Sequence, residues 1–188
     1  VGVNVISVIG EKSYQTKLSG TLTFNSGAGE SVGNKITTWS GIDVIASGTS
    51  GTLIFTGSNP QRLNIINCEV NSGNAQPALL MNNTGTGSLV VSSNTNFNNT
   101  STGMATKIDY GKLSINSGQA VAVGNAITMQ FNNSSQLEGS TAYVHGTLQF
   151  NGTSGGLYET MLINNGTSAA IAYNSSSLLV IVDPVQLG

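Results

Sequence analysis

Gly20-Thr21-Leu22-Thr23-Phe24 is a short text that the chain repeats with small changes. It returns as Gly51-Thr52-Leu53-Ile54-Phe55, Gly87-Ser88-Leu89-Val90-Val91, Gly111-Lys112-Leu113-Ser114-Ile115 and Gly146-Thr147-Leu148-Gln149-Phe150. In most copies apolar residues alternate with Thr, Ser or Gln, the pattern of a β-strand with one buried face. The leading glycine marks a turn. Around the first copy the match lengthens: residues 20–37 align without a gap to 111–128 at an offset of 91, and 51–57 align to 146–152 at an offset of 95. This predicts a β-domain over 20–188 with an internal duplication, about 20–110 and 111–188. An N-terminal strand and linker over 1–19 stand outside it.

No stretch of the 188 residues sustains a helical period, so the predicted fold class is all-β. Two architectures suit the text. A right-handed parallel β-helix, or solenoid, explains a recurring strand motif, but solenoids repeat at a nearly fixed coil length. The copies here are spaced by 31, 36, 24 and 35 residues. A β-sandwich of two related halves tolerates that irregularity, because its loops lengthen freely. The spacing favours the sandwich and leaves the solenoid as the alternative.

Composition narrows the function. Charged residues are 7% of the chain, against about 25% in an average soluble domain. Six Lys and Arg against eight Asp and Glu make no basic stripe for nucleic acid. The longest apolar run, Leu178 to Val182, is far short of the roughly 18 residues a membrane span requires. Solubility must come from Gly, Ser, Thr and Asn. A chain with few carboxylates has little to lose as pH falls, so acid resistance is expected. The single cysteine, Cys68, lies in an apolar run and reads as a buried, inert thiol. The chain begins at Val1, which fits a signal peptide removed on secretion to an extracellular or cell-surface site.

Asn-x-Ser/Thr sequons begin at Asn82, Asn98, Asn99, Asn132, Asn133, Asn151, Asn165 and Asn174, and none precedes Asn82. Most read as turn positions, where an N-linked glycan stays solvated. The segment Val1 to Gly10 is the most hydrophobic terminal stretch. Val1, Val3, Val5 and Ile9 share one face, with Ile6 and Val8 on the other. It either pairs within its own sheet or completes the sheet of a neighbouring subunit, with the polar run Glu11 to Lys17 as a linker.

This organisation resembles the subunit of archaeal thread filaments: an apolar strand at a processed N-terminus, a low-charge Ser/Thr/Asn-rich β-domain and dense sequons. The resemblance implies a glycosylated β-sandwich that forms an extracellular homopolymer by donor-strand complementation. Residues 1–10 would be donated, and the acceptor groove would lie between edge strands of 20–188. Adhesion and cell-surface contact, with cell-surface glycans as further partners, would be its work. The Gly-Thr-Leu-x-Phe and Asn-Asn-Gly-Thr phrases also resemble β-helical adhesin passengers and phage fibre proteins, which keeps a carbohydrate-binding surface module as the alternative.

Nothing in the text predicts catalysis, a metal site or a cofactor. His145 is the one histidine, and no helix is expected to follow a serine as a nucleophile elbow requires. Asp43, Glu69, Asp109, Glu138, Glu159 and Asp183 are scattered rather than paired as a glycosidase requires. Trp39, beside Thr37 and Thr38, reads as a core or interface residue in preference to a sugar platform.

Overall fold

The computed structural model describes residues 5–10, 16–26, 35–45, 52–85, 88–133, 135–151, 155–158, 162–163, 171–174 and 179–182. Every regular element among them is a β-strand, and every strand pair is parallel. The first coil carries β1 (Val5–Ile9), β2 (Thr16–Ser19) and β3 (Leu22–Ser26), and the second β4 (Lys35–Ser40), β5 (Ile42–Ile45) and β6 (Leu53–Gly57). The third carries β7 (Gln61–Ile66), β8 (Glu69–Ser72) and β9 (Leu79–Met81), and the fourth β10 (Leu89–Ser93), β11 (Asn96–Asn99) and β12 (Thr106–Ile108). In the fifth and sixth coils one long strand serves both the first and second faces, β13 (Lys112–Ala122) and then β15 (Gln136–His145), followed by the third-face strands β14 (Ile127–Phe131) and β16 (Thr147–Asn151) respectively. After them come β17 (Gly155–Tyr158), β18 (Leu162–Ile163), β19 (Ile171–Asn174) and β20 (Leu179–Val182).

Each strand pairs with its counterpart one coil away, so three faces run along a β-solenoid. The first face orders β1-β4-β7-β10-β13-β15-β17-β20 and the third β3-β6-β9-β12-β14-β16-β19. The second holds β2, β5, β8 and β11, then the C-terminal parts of β13 and β15, and β18. The sandwich expectation is therefore corrected: the architecture is the solenoid alternative. Register on the first face passes through Val5, Ile36, Arg62, Leu89, Lys112, Gln136, Gly156 and Val180, which sets coils of 31, 26, 27, 23, 24, 20 and 24 residues.

The irregular motif spacing has a physical source. Leu22, Leu53 and Leu148 stand on the third face, whereas Leu89 and Leu113 stand on the first. Spacing between copies on different faces mixes whole coils with parts of coils. Even on the first face the phase differs by one, since Leu89 pairs with Lys112 while Leu113 is fully buried. The 91-residue alignment likewise sets Leu22 of the third face against Leu113 of the first, so it does not follow the coil repeat.

Inside, like residues stack on like. Phe55, Met81, Ile108, Phe131 and Phe150 form one column of the third face, none more than 1% exposed. The Phe131 and Phe150 rings stack with centroids 5.2 Å apart. Leu63, Val90, Leu113 and Leu137 line the first face, and Val70, Phe97, Ala120 and Val144 the second. A rung spacing of about 4.8 Å leaves no room for a mismatched side chain in such a column.

The corner between first and second faces is a second repeat. Gly41, Asn67, Asn94 and Ser117 all hold positive φ, at 69°, 52°, 48° and 54°. Glycine and asparagine tolerate that conformation; most side chains do not. The Gly41, Asn67 and Asn94 N–H groups each donate to the next coil, to Ile66, Ser93 and Asn116 carbonyls, so the ladder continues through the bend. Just beyond it, Cys68 is buried as expected, and its thiol donates to the Ile66 carbonyl at 3.2 Å. Burial pushes the Cys68 thiol above its ordinary pKa, against an opposing pull from backbone hydrogen bonds.

The N-terminal strand pairs in cis. β1 lies parallel to β4, with Val5 opposite Ile36 and Ile9 opposite Ser40, and the Gly10 N–H donates to the Ser40 carbonyl. Ile6 shares its column with the buried Leu63 and Val90, and Val8 shares its column with the buried Ile65. Ile9 itself is 74% exposed. Val1 and Val3 lie outside the described residues.

Candidate functional site

The outward sides of the second and third faces carry rows of amides. On the second face, Glu69 and Asn96 are register partners, as are Asn71 and Asn98. Strand alternation turns Val70 and Phe97 inward and leaves these four partly exposed. Both Glu69 carboxylate oxygens are engaged: Asn96 Nδ2 donates to Oε1, and Asn98 Nδ2 donates to Oε2 at 2.9 Å. Asn98 Nδ2 also donates to Asn71 Oδ1 at 3.0 Å. Asp43 precedes Glu69 in the same register column, and Gln119 and Tyr143 follow Asn96. Two acids that looked scattered in sequence therefore sit on adjacent rungs. No spacing rule could have found them, because the 26 positions that separate them are one coil of this particular length.

On the third face, the outgoing end of each strand forms another column. Asn132 Nδ2 donates to Asp109 Oδ1 at 2.6 Å, and Asn151 Nδ2 donates to Asn132 Oδ1 at 3.3 Å. Lys107 Nζ lies 3.6 Å from the same Asp109 oxygen. Asn174 is the register partner of Asn151 one coil further on. The Asn82 N–H donates to the Phe55 carbonyl and the Asp109 N–H to the Met81 carbonyl, one coil apart, so the Asn82 sequon occupies the same corner. Four sequons, the first and last 92 positions apart, converge there.

The turn expectation for the sequons holds for some and fails for others. Asn132 and Asn133 follow β14 in a turn, with Asn133 exposed at φ 53°. Asn98 and Asn99 instead lie within β11, and Asn151 and Asn174 close β16 and β19. Asn99 is 1% exposed: its Nδ2 donates to the Asn74 and Gln76 carbonyls, and its Oδ1 accepts the Ser101 N–H. It is a strut beneath the loop of residues 74–76. Asn165 lies outside the described residues.

His145 closes β15 opposite Val121, and its carbonyl accepts the Thr128 hydroxyl. Trp39 sits in the first-face column of Val8 and Ile65. Among the described residues, no group of three or more His, Cys, Asp and Glu is placed to hold a metal ion. No helix among them is long and apolar enough to cross a membrane. In comparisons with known proteins, no family model matches this chain, and no curated protein or solved structure gives a significant match.

Proposed function

We propose that this chain is a structural β-solenoid of an extracellular fibre or cell-surface layer, working through its outer faces and not as a catalyst. The observation that carries the reading is the unbroken parallel ladder from Val5 to Val180. In such a molecule each coil rests only on its neighbours, so length is gained by adding coils around the same packed interior. The outer faces are kept wet by amides and hydroxyls in a chain with 7% charge, which suits prolonged contact with an external medium. The thread-filament resemblance is retained for its extracellular, self-associating character only. Donation of residues 1–10 to a neighbour is dropped, because the described part of that segment already pairs with β4.

Negative-stain microscopy of concentrated protein, with sedimentation velocity across a concentration series, tests the proposal. Elongated self-associated particles are the expected outcome. A compact monomer at every concentration would overturn it.

A second reading, a carbohydrate-binding surface module, is favoured by the preorganised Glu69, Asn71, Asn96 and Asn98 patch. Planar amides and carboxylates held by one another present fixed donors and acceptors to sugar hydroxyls. Retention on a glycan array that is lost in Asn96→Ala would favour it over the purely structural reading.

A further inference from the structure

Eight sequons share one signal, and among the described residues the fold treats them differently. N-glycosylation replaces one of the two hydrogens on Asn Nδ2. The transfer forms a bond from sugar C1 to Nδ2 and breaks the C1–O bond to the pyrophosphate of a lipid-linked oligosaccharide. One Nδ2 proton passes to the transferase, and no oxidant or reductant enters. A side chain that spends both Nδ2 hydrogens inside the folded protein cannot accept a sugar and still fold. One that spends a single hydrogen and faces solvent can do both.

Asn99 spends both, on the Asn74 carbonyl at 3.1 Å and the Gln76 carbonyl at 2.7 Å, in a site that is 1% exposed. Asn98 also spends both, on Glu69 Oε2 and Asn71 Oδ1. Asn132 and Asn151 donate once each, but they are consecutive members of one amide column, and Asn132 is held from both sides by Asp109 and Asn151. Asn151 Oδ1 and Asn82 Oδ1 are both enclosed by protein. Asn133 differs from all of these. It is exposed, sits in the turn after β14, and makes one Nδ2 donation, to the Asp109 carbonyl at 2.7 Å. A glycosylated Nδ2 keeps one hydrogen, enough to preserve that bond.

We propose that Asn133 is an N-glycan acceptor of this chain, and that Asn98 and Asn99, which carry the same signal, are not. The inference rests on the extracellular reading above. The third residue of the Asn133 sequon, Ser135, is 1% exposed, and its hydroxyl donates to the Ile108 and Asn132 carbonyls. The sugar is therefore added to the extended chain before the fifth coil closes, and folding selects which glycosylated chains survive.

The test is expression of the whole chain behind an added secretion signal in a eukaryotic host that attaches N-glycans. Folded protein from the medium is deglycosylated by an amidase in heavy-oxygen water, and peptide mapping locates the converted asparagines. Conversion at Asn133 in most molecules, with none at Asn98 or Asn99, is expected. Asn133→Gly, which suits the positive φ, should lower the mass by one glycan, while the Asn132 sequon, completed by Ser134, stays intact. An unconverted Asn133, a converted Asn99 in folded protein, or an unchanged glycan count in Asn133→Gly would each overturn the proposal. Should the variant not be secreted, the map of the unaltered chain decides alone. Because the added signal forces the chain through the secretory route, failure here is separate from failure of the fibre reading, which microscopy tests.

Discussion

Asn94 Nδ2 donates to Asn67 Oδ1 at 2.8 Å, across one rung of the corner between the first and second faces. Both residues hold the left-handed backbone conformation that the corner requires. The amide bond is a consequence of stacking: equivalent positions in successive coils meet, so a residue chosen for its backbone tolerance also gains a side-chain partner. Ser117 occupies the same corner one coil later at φ 54° and has neither advantage.

Ser117→Gly should therefore stabilise the protein. The strain of a left-handed non-glycine residue is about 1–2 kcal/mol, partly offset by the extra freedom glycine has when unfolded. A net gain of about 0.5–1 kcal/mol is expected, a rise in Tm of roughly 1–4 °C for a chain of this size. Ser117→Asn should gain similarly, while Ser117→Val should lose more than either gains. Thermal unfolding monitored by circular dichroism checks the order of the three.

Phe131→Ala removes a ring from the middle of the third-face column and leaves Phe150 without its stacking partner. A loss of about 3–5 kcal/mol is expected for a buried phenylalanine. Phe131→Leu should cost less than half of that, because most of the volume remains. Urea denaturation of the pair measures the difference.

Asn99→Ala withdraws a donor from the Asn74 and Gln76 carbonyls and an acceptor from the Ser101 N–H. Leaving buried polar groups unmet costs about 1–3 kcal/mol each when water cannot reach them. A total loss of about 2–4 kcal/mol is expected. Asn99→Asp should be at least as damaging, since a carboxylate would face two carbonyl oxygens. Hydrogen exchange should show faster opening of residues 72–76 in both variants.

Cys68 should resist thiol reagents in the native protein and react only as fast as the chain opens. Its folded pKa is raised, so the unfolded thiol ionises first as pH climbs past about 9.0, the ordinary value. Its contribution to stability is therefore whole below that pH and is lost as pH rises beyond it. Cys68→Ala should weaken the protein at neutral pH but flatten the decline above about pH 9. Stability curves of both proteins, from neutral pH to well above that value, decide this.

How far the sequence reached is clear from particular residues. Leu22 and Phe24, or Leu113 and Ile115, announced strands because burial on one side of a strand imposes a two-residue period, which is a local property. The scarcity of charge and the inert setting of Cys68 were legible for the same reason. The choice between sandwich and solenoid was not local. It depended on whether Leu22 and Leu89 stand in one column or on two faces, and equal five-residue phrases carry no mark of the face they occupy. The partner of the N-terminal strand was not local either: an apolar strand can pair within its own sheet or with a neighbour's, and Val5–Ile9 pairs with Lys35–Ser40.

The sequence by itself determined that this protein is built of strands, that its surface is wetted by amides and hydroxyls, and where its sequons stand. Only the tertiary structure decided that Asn82, Asn132, Asn151 and Asn174 share one corner, that Glu69 lies between Asn96 and Asn98, and that Asn99 is a strut while Asn133 is open to solvent. The physical reason is coil length. Contacts across a solenoid join residues separated by one turn, and that separation varies here from 20 to 31 residues. Each coil sets it by how much chain its corners absorb, so the partner of any residue follows from the packing of the whole coil beneath it and from no rule of spacing.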